Sequence, residues 1–424
     1  MSWRNYQATL KRRQETRRIG WFALKWAFGL TLAATLAVGI VLGVTELSPR
    51  LKEKERVPPI AMRSKAQVRE LMQGQKLWQV AEEPPAITRD GKTYEITTTL
   101  DLEFQRHMLK VLDPTHARAI AFVAMEPETG KVLVMAGIHK DPEAGNPCAQ
   151  VLFPAASVFK MVTAAAVLDS KGLTPQSPVK YNGKKHTLYK SQLENRDNKY
   201  TRHITLGEAF SDSINSVFGK IGNQVGSEAL LTKAVDMGFN GDLGLECAFS
   251  PSQIIMPEDA YGVAEVASGF NRGTRITAMH GAAMACSVVN GGLLPEPYIV
   301  ASVENEESQI VYEGRLTPMG QAMTEKASQD LQEMMVSAAL TGTGKGSFGK
   351  RERGRALKNI VVGGKTGSIN HDTEYDIRYD WFVGFAHDQK NKKALAFAAI
   401  VAHEKFIGKK AGDYCKEAIK YYFK

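Results

Sequence analysis

The sequence predicts a mixed α/β (α+β) domain behind one N-terminal membrane-spanning helix, and three observations support this prediction. An uncharged apolar run occupies residues 26–44. Strand-like segments occur at the start and the end of the chain that follows, while the middle, from Ala156 to about Leu340, has a mostly helical pattern. Because strands come first and last with helices between them, we expect one sheet assembled from both ends of the domain.

The apolar run from Trp26 to Val44 is the first element. As a helix, its 19 residues would extend for roughly 28 Å, close to the hydrocarbon thickness of a bilayer. Trp21 and Trp26 lie at its start, where aromatic side chains favour the membrane interface. A cleaved signal peptide, the main alternative, has a shorter apolar stretch and a small-residue cleavage site, which residues 45–50 do not offer. We therefore predict an uncleaved anchor over residues 20–44, with a buried core helix as the other alternative.

The charge distribution predicts how this anchor is oriented. The formal net charge is +9, but six basic residues and one acidic residue lie within the first 18 residues, which leaves about +4 for the rest. The positive-inside rule then places residues 1–19 in the cytoplasm and residues 45–424 outside it. Because the remaining basic excess is modest, a nucleic-acid partner is not expected.

Residues 45–92 are interrupted by Pro58-Pro59 and Pro84-Pro85, and we expect them to form a stalk with one short helical stretch near Ser64–Leu77. The domain proper is predicted over residues 93–424. Its predicted elements are, in order, a strand at 93–100, a helix that opens at Asp101, a hairpin of Ala119–Met125 and Lys131–Ala136, the helical middle, three strands at Ile360–Lys365, Trp381–His387 and Ala394–Ala402, and a last helix around Asp413–Tyr422.

The four cysteines, Cys148, Cys247, Cys286 and Cys415, are too scattered for a zinc site of the Cys-x-x-Cys type. An exported domain allows a disulfide, and the pairing we expect is Cys148 with Cys247. Cys286 lies in an apolar, helix-like run, where a free buried thiol is expected.

Three short motifs carry the candidate chemistry. Ser157-Val158-Phe159-Lys160 begins a helical, alanine-rich run, Ser213-Ile214-Asn215 lies between helical stretches, and Lys365-Thr366-Gly367-Ser368 ends a β-rich run. Each motif alone is weak evidence, because such patterns arise by chance and have ordinary roles as helix lysines, caps or strand ends. Together, in this order and on suitable elements, they are strong evidence for one site.

The residue types indicate nucleophilic catalysis by a serine. Positions i and i+3 share one helix face, so Lys160 can reach the hydroxyl of Ser157. A serine hydroxyl needs a base within hydrogen-bond distance, and a lysine can be that base only when it is neutral. Burial and a second cation, for which Lys365 is the natural candidate, favour the neutral form. Asn215 can hold the amine of Lys160 and a substrate amide, while Ser213 can relay a proton to a leaving amine.

The third motif suits substrate binding. The hydroxyls of Thr366 and Ser368, on either side of Gly367 and beside Lys365, suit a substrate carboxylate. The helix N-terminus supplies the backbone N–H of Ser157, and the strand edge at Ser368 is expected to supply the second donor of an oxyanion hole.

From about Thr93 to the C-terminus, the chain resembles the transpeptidase domain of penicillin-binding proteins, whose motif trio it carries. Further similarity lies in residues 96–105, 124–136, 271–292 and 380–385. The resemblance implies an antiparallel sheet flanked by helices, with a mostly helical subdomain that carries Ser213–Asn215. It also implies that Ser157 is acylated by the D-Ala-D-Ala end of a peptidoglycan stem peptide, and that an amine of a neighbouring stem, or water, then resolves the ester. β-Lactams would acylate the same serine, and no cofactor or metal is expected.

Under 50 residues separate the predicted anchor from the domain, where bifunctional members carry a glycosyltransferase domain and many others a pedestal. Glycan polymerisation is therefore not expected.

The lead hypothesis is a DD-transpeptidase, single-pass in the bacterial inner membrane, with a periplasmic catalytic domain. DD-carboxypeptidase and endopeptidase activities differ only in the acceptor and stay open. A β-lactamase is disfavoured because Glu228 lacks the sequence context of a deacylating acid, and a non-catalytic sensor or scaffold with wall-synthesis partners is the third class.

Two other patterns are set aside. Residues 344–350 match the first seven positions of a phosphate-binding loop, but Arg351 stands where Mg²⁺ binding needs Ser or Thr, and a helix is predicted before the loop. We expect a basic glycine loop near the cleft instead. His403-Glu404 lacks the second histidine of a zinc-protease motif.

Overall fold

The computed structural model describes residues 64–83, 86–352, 354, 357–371, 373–374, 376–388 and 390–424. The predicted cytoplasmic tail, the anchor at residues 20–44 and the first part of the predicted stalk lie outside the described residues. Within the described part of the chain, no helix combines the length and the apolar character needed to cross a membrane.

The described chain contains both short and long strands, with helices concentrated between residues 156 and 289. The strands are β1 (Ile87–Arg89), β2 (Lys92–Thr98), β3 (Ala117–Met125), β4 (Val132–His139), β5 (Phe153–Pro154), β6 (Pro178–Tyr181), β7 (Arg202–Thr205), β8 (Arg275–Ile276), β9 (Leu293–Pro295), β10 (Val300–Glu304), β11 (Ile310–Glu313), β12 (Pro318–Gln321), β13 (Ile360–Asn370), β14 (Arg378–Asp388) and β15 (Lys393–His403). The α-helices are α1 (Lys65–Leu71), α2 (Leu102–Val111), α3 (Lys160–Ser170), α4 (Lys190–Leu193), α5 (Leu206–Ser211), α6 (Asn215–Val225), α7 (Ser227–Asp236), α8 (Ala260–Ser268), α9 (Ala278–Val289), α10 (Glu325–Leu340), α11 (Lys345–Phe348) and α12 (Ala411–Tyr422).

The central sheet is antiparallel and has the strand order β13-β14-β15-β3-β4. The predicted hairpin and the three predicted C-terminal strands all belong to it, so the prediction of one sheet assembled from both ends of the domain is confirmed for these strands. Its two faces contact separate hydrophobic clusters. In β15, Ala396 and Ile400 join the cluster that contains α3 and α9, while Phe397 and Val401 join the cluster that contains α2 and α12. Burial of both faces explains why the inner strands β3 and β15 are apolar at nearly every position.

The strand predicted at residues 93–100 forms as β2 but joins a different sheet. It pairs with β10, where Val303 lies opposite Ile96, in a four-stranded sheet of order β1-β2-β10-β11. The partner strands β10 and β11 lie within the stretch that the sequence predicted to be mostly helical. A pairing between residues some 200 positions apart leaves no signal in local periodicity.

Residues 64–83 pack onto the domain, which therefore begins before residue 93. Ser64 caps α1, and its hydroxyl accepts a hydrogen bond from the backbone N–H of Gln67. Val68 and Leu71 are buried in the larger hydrophobic cluster. The guanidinium of Arg69 contacts the carboxylate of Asp242 at 2.7 Å. The short helical stretch was predicted, but its docking depends on contacts that lie far away in the sequence.

The disulfide expected between Cys148 and Cys247 does not form. All four cysteines are free and buried, as was expected of Cys286 alone. The Cys148 thiol lies 3.3 Å from the carbonyl oxygen of Ala136, to which it can donate. Burial raises the pKa of the Cys148 thiol, so the reactive thiolate is disfavoured.

Candidate active site

The nucleophile candidate Ser157 lies in a 3₁₀ turn, Ala156–Phe159, which leads directly into α3. Ala156 has a φ of 47°, in the left-handed region that non-glycine residues rarely adopt. Gly269 lies against this turn with a φ of 65°, and a Cβ at that position would come within 1.8 Å of the Ala156 carbonyl oxygen. Only glycine allows this approach, so the end of α8 supports the turn that presents Ser157.

Lys160 connects the nucleophile to the second motif. Its Nζ atom lies 2.9 Å from the Ser157 Oγ atom and 2.8 Å from the Asn215 Oδ1 atom. The third contact of the same nitrogen is the backbone carbonyl oxygen of Ser268. The ring of Phe218 lies beside the amine, with its centroid 5.7 Å from Nζ. The sequence predicted the contacts with Ser157 and Asn215 but gave no signal for the Ser268 carbonyl.

The surroundings of Lys160 favour a neutral amine. Its side chain is fully buried. Burial first, and then the charge of Lys365, lowers the pKa of Lys160 well below its ordinary value. A neutral amine has two hydrogens and one lone pair. If the hydrogens go to the oxygens of Asn215 and Ser268, which cannot donate, the lone pair is left to accept the proton of Ser157.

Ser213 lies in the connection from α5 to α6, Asn215 is the first residue of α6, and both are nearly fully buried. Ser213 has a φ of 56°, a second left-handed residue at the site. The Nδ2 group of Asn215 donates to the carbonyl oxygen of His186, which directs its Oδ1 atom towards Lys160. Ser213 points instead to the third motif.

Lys365 lies on β13, the edge strand of the central sheet. Its Nζ atom donates to the Ser213 Oγ atom at 2.9 Å, and the Phe210 ring centroid is 5.6 Å away. Burial lowers the pKa of Lys365 to about 7, so its charged and neutral forms are both populated near neutral pH. Lys160 thus contacts the first and second motifs, and Lys365 connects the second motif to the third.

The remaining residues of the third motif line the route along β13. A Cβ on Gly367 would lie 3.1 Å from a methyl group of Val158 and 3.2 Å from the carbonyl oxygen of Ala155, so glycine lets the strand approach the nucleophile turn closely. Thr366 and Ser368 border the cleft. The Thr366 hydroxyl donates to the Thr343 hydroxyl at 2.6 Å.

A cleft of about 740 Å³ is lined by Ser157, Ser213, Asn215, Thr366 and Ser368, together with residues that the sequence analysis missed. The Nε group of Arg378 donates to the Ser368 Oγ atom at 2.9 Å, and the Nε group of Arg272 donates to the carbonyl oxygen of Asn370 at 2.8 Å. Both guanidinium groups therefore lie at the end of β13 where a substrate carboxylate is expected. Neither arginine belongs to one of the three motifs, although Arg272 lies within the segment 271–292 that resembles the family. The expected glycine loop does lie at the cleft, where Gly344 and Gly346 line it.

Comparison with protein families decides the assignment. The sequence model of the family described as penicillin binding protein transpeptidase domain matches residues 120–421. The chain belongs to the penicillin-binding protein transpeptidase family. This match includes all three motifs, and the antiparallel sheet flanked by helices is the architecture that the sequence resemblance implied.

Relatives in this family agree with the match. The chain is 25% identical over 319 residues to the peptidoglycan D,D-transpeptidase PbpA of Mycobacterium tuberculosis, which corresponds to 65% of this chain and 60% of the relative. The chain thus spans about three-fifths of that relative's length.

Solved transpeptidase structures share the fold. The D,D-transpeptidase domain of a peptidoglycan glycosyltransferase from Eggerthella lenta superimposes with a TM-score of 0.63 at 21% identity, covering 77% of this chain and 82% of that one. The penicillin G acyl-enzyme complex of penicillin-binding protein A from Mycobacterium tuberculosis gives a TM-score of 0.59 at 20% identity, covering 79% and 82%.

Proposed function

We propose that this protein is a peptidoglycan DD-transpeptidase that acts through an acyl-enzyme on Ser157. The observation that carries the proposal is the pair of buried lysines, Lys160 and Lys365, each within 2.9 Å of a serine hydroxyl in one cleft. The name of the PbpA relative and the acyl-enzyme that penicillin G forms with a structural neighbour support the same activity.

Acylation follows from the contacts of Ser157. Neutral Lys160 accepts the hydroxyl proton as the Oγ atom attacks the carbonyl carbon of the D-Ala-D-Ala bond. The oxygen that becomes negative is stabilised by the backbone N–H groups of Ser157 and Ser368. Within the described residues, the Ser157 N–H donates no backbone hydrogen bond, so it is available to the substrate.

Collapse of the tetrahedral intermediate breaks the peptide bond and leaves an ester on Ser157. The proton that Lys160 took from Ser157 passes through the Ser213 hydroxyl, which lines the cleft, to the leaving D-Ala amine, so Lys160 is neutral again before the second step. Neutral Lys160 then accepts the proton of the attacking acceptor amine and passes it to the Ser157 Oγ atom as the ester bond breaks, which forms the cross-link and restores the Ser157 hydroxyl. Lys365, Thr366 and Ser368 hold the substrate carboxylate, and Arg378 adds a second positive charge at the same end of β13.

The surroundings of the nucleophile support a slow reaction of the ester with water. A β-lactamase needs a base that activates water beside the ester. Among the described residues, no carboxylate is hydrogen-bonded to Ser157 or Lys160 to act as that base. We further propose that residues 20–44 anchor the protein in the inner membrane and that the catalytic domain lies in the periplasm.

The test uses the full chain, purified in detergent, with a soluble stem peptide that ends in D-Ala-D-Ala. We expect release of D-Ala and, when an acceptor amine is added, a new peptide bond to that amine. Mass spectrometry should find the acyl group on Ser157. Release of D-Ala without amine transfer would identify a carboxypeptidase, whereas a stable fold with no acylation of Ser157 would contradict the proposal.

The pH dependence of acylation provides a separate prediction. The rate constant for acylation by penicillin should rise with pH as Lys160 loses its proton, because only the neutral amine accepts the proton of Ser157. It should fall again above about pH 7, where Lys365 loses the charge that attracts the carboxylate. The measurement is the second-order rate constant between pH 5 and 10. The methyl ester of the same penicillin, which has no carboxylate, serves as control and should lack the fall, and an identical fall with the ester would contradict the role of Lys365.

A further inference from the structure

Gln192 is a buried amide near the site that touches no catalytic group. It lies in α4, and only 6% of its surface is exposed. A buried amide is costly unless its donors and acceptors are satisfied. Its partners therefore indicate what it does.

Every hydrogen bond of the Gln192 side chain goes to the segment 182–189. Its Nε2 group donates to the carbonyl oxygens of Asn182 at 3.0 Å and Lys184 at 3.4 Å. Its Oε1 atom accepts from the backbone N–H of Tyr189 at 2.9 Å and from the Thr187 hydroxyl at 3.2 Å. One side chain thus holds both ends of this loop.

The two carbonyl groups at the centre of the same loop hold Asn215. The backbone N–H of Asn215 donates to the carbonyl oxygen of Lys185 at 2.8 Å. Its side-chain Nδ2 group donates to the carbonyl oxygen of His186 at 2.9 Å. These bonds fix both the position of Asn215 and the orientation of its amide, since a flipped amide would present two donors to Lys160.

The loop also contacts the residue that precedes Ser213. The Lys185 Nζ atom lies 2.6 Å from a carboxylate oxygen of Asp212. The His186 Nε2 atom lies 3.1 Å from the Asp212 carbonyl oxygen. The segment 182–189 is therefore connected to both ends of the second motif.

We propose that Gln192 is a positioning residue for acylation: it holds the loop 182–189 in the shape that directs Asn215 Oδ1 at Lys160. This inference rests on the proposed role of Ser157 and Lys160. Gln192 acts through Asn215 and does not contact the reacting atoms.

The test is the acylation rate of the full chain carrying Gln192→Met, which keeps the volume and removes all four hydrogen bonds. We expect the second-order rate constant with a fluorescent penicillin to fall about 10- to 100-fold, the loss typical of a catalytic group displaced by about 1 Å. Gln105→Met is the matched control. Gln105 is also a fully buried amide, and its Nε2 group donates to the carbonyl oxygens of Leu77 and Met135, away from the cleft. The Gln105→Met variant should lose thermal stability, while its second-order rate constant for acylation stays unchanged.

A double-mutant cycle separates positioning from general destabilisation. In the Asn215→Ala background, Gln192→Met should have no further effect on acylation, because its only route to Lys160 has been removed. If Gln192→Met folds poorly, Gln192→Glu keeps the acceptor for Tyr189 and loses the donors to Asn182 and Lys184. It should also slow acylation and shift the acidic limb of the pH profile.

Three outcomes would overturn the inference: a wild-type rate in both Gln192 variants, effects of Gln192→Met and Asn215→Ala that simply multiply, or an equal loss in Gln105→Met. A wild-type protein that is not acylated on Ser157 would instead overturn the proposed function, and the positioning role with it.

Discussion

Replacing Ser157 with alanine is expected to abolish covalent labelling by penicillin. The variant removes the only atom proposed to form the ester, and the hydrogen bond of Lys160 to Ser157 is lost while those to Asn215 and Ser268 remain. The fold should therefore survive. The measurement is in-gel fluorescence of the full chain after incubation with a fluorescent penicillin, together with its thermal unfolding temperature.

Ser170→Ala is the matched control for this variant. Ser170 lies at the other end of α3, and its hydroxyl donates only to the carbonyl oxygen of Ala166 in the same helix. It should label like the wild type. Equal labelling of Ser157→Ala and the wild type would refute the nucleophile assignment.

Replacing Lys160 with methionine is expected to slow acylation by about 10²- to 10⁴-fold, the contribution typical of a general base. Methionine has a similar length but cannot accept the Ser157 proton. Methionine leaves the oxygens of Asn215 and Ser268 without their donor, so a loss of about 1–3 kcal/mol of stability is expected as well, and the thermal unfolding temperature is measured beside the rate. The measurement is the rate of acylation under saturating penicillin, with mass spectrometry to confirm that the acyl group remains on Ser157.

Lys220→Met is the control for the loss of a partly buried amine. Lys220 lies in α6, and burial lowers its pKa too, but among the described residues its side chain forms no hydrogen bond or ion pair with the three motifs. Its acylation rate should be that of the wild type. If Lys160→Met is acylated at an undiminished rate, another group must take the proton.

The sequence predicted those parts of the site that lie close together in the chain or in a motif. Ser157 and Lys160 are three residues apart where a 3₁₀ turn leads into α3, and side chains at this spacing share one face of a helical turn. The meeting of Ser213 with Lys365 was expected only from the resemblance, since 152 residues separate them. Neither Gln192 nor Arg378 belongs to a sequence motif, so no pattern in the sequence was a reason to select them. Their importance is seen only from the residues that the fold brings next to them.

The wrong predictions about the fold also concern contacts between residues that are distant in the sequence. The residues of β2 were recognised as a strand, but the choice between two sheets depends on β10, which is distant in the sequence and short. The expected disulfide is wrong, because Cys148 and Cys247 are each buried as free thiols within the larger hydrophobic cluster. Local periodicity predicts an element, and the contacts between distant elements decide where it packs.

The left-handed conformation of Ala156 has a consequence for how the protein could be stabilised. An alanine in this region is less stable than a glycine by about 1–2 kcal/mol. Glycine at residue 156 would therefore relieve strain in the folded backbone, yet it would also loosen the turn that aims Ser157. The domain thus gives up some thermodynamic stability at the residue before the proposed nucleophile, and we expect variants selected for heat resistance alone to show slower acylation of Ser157.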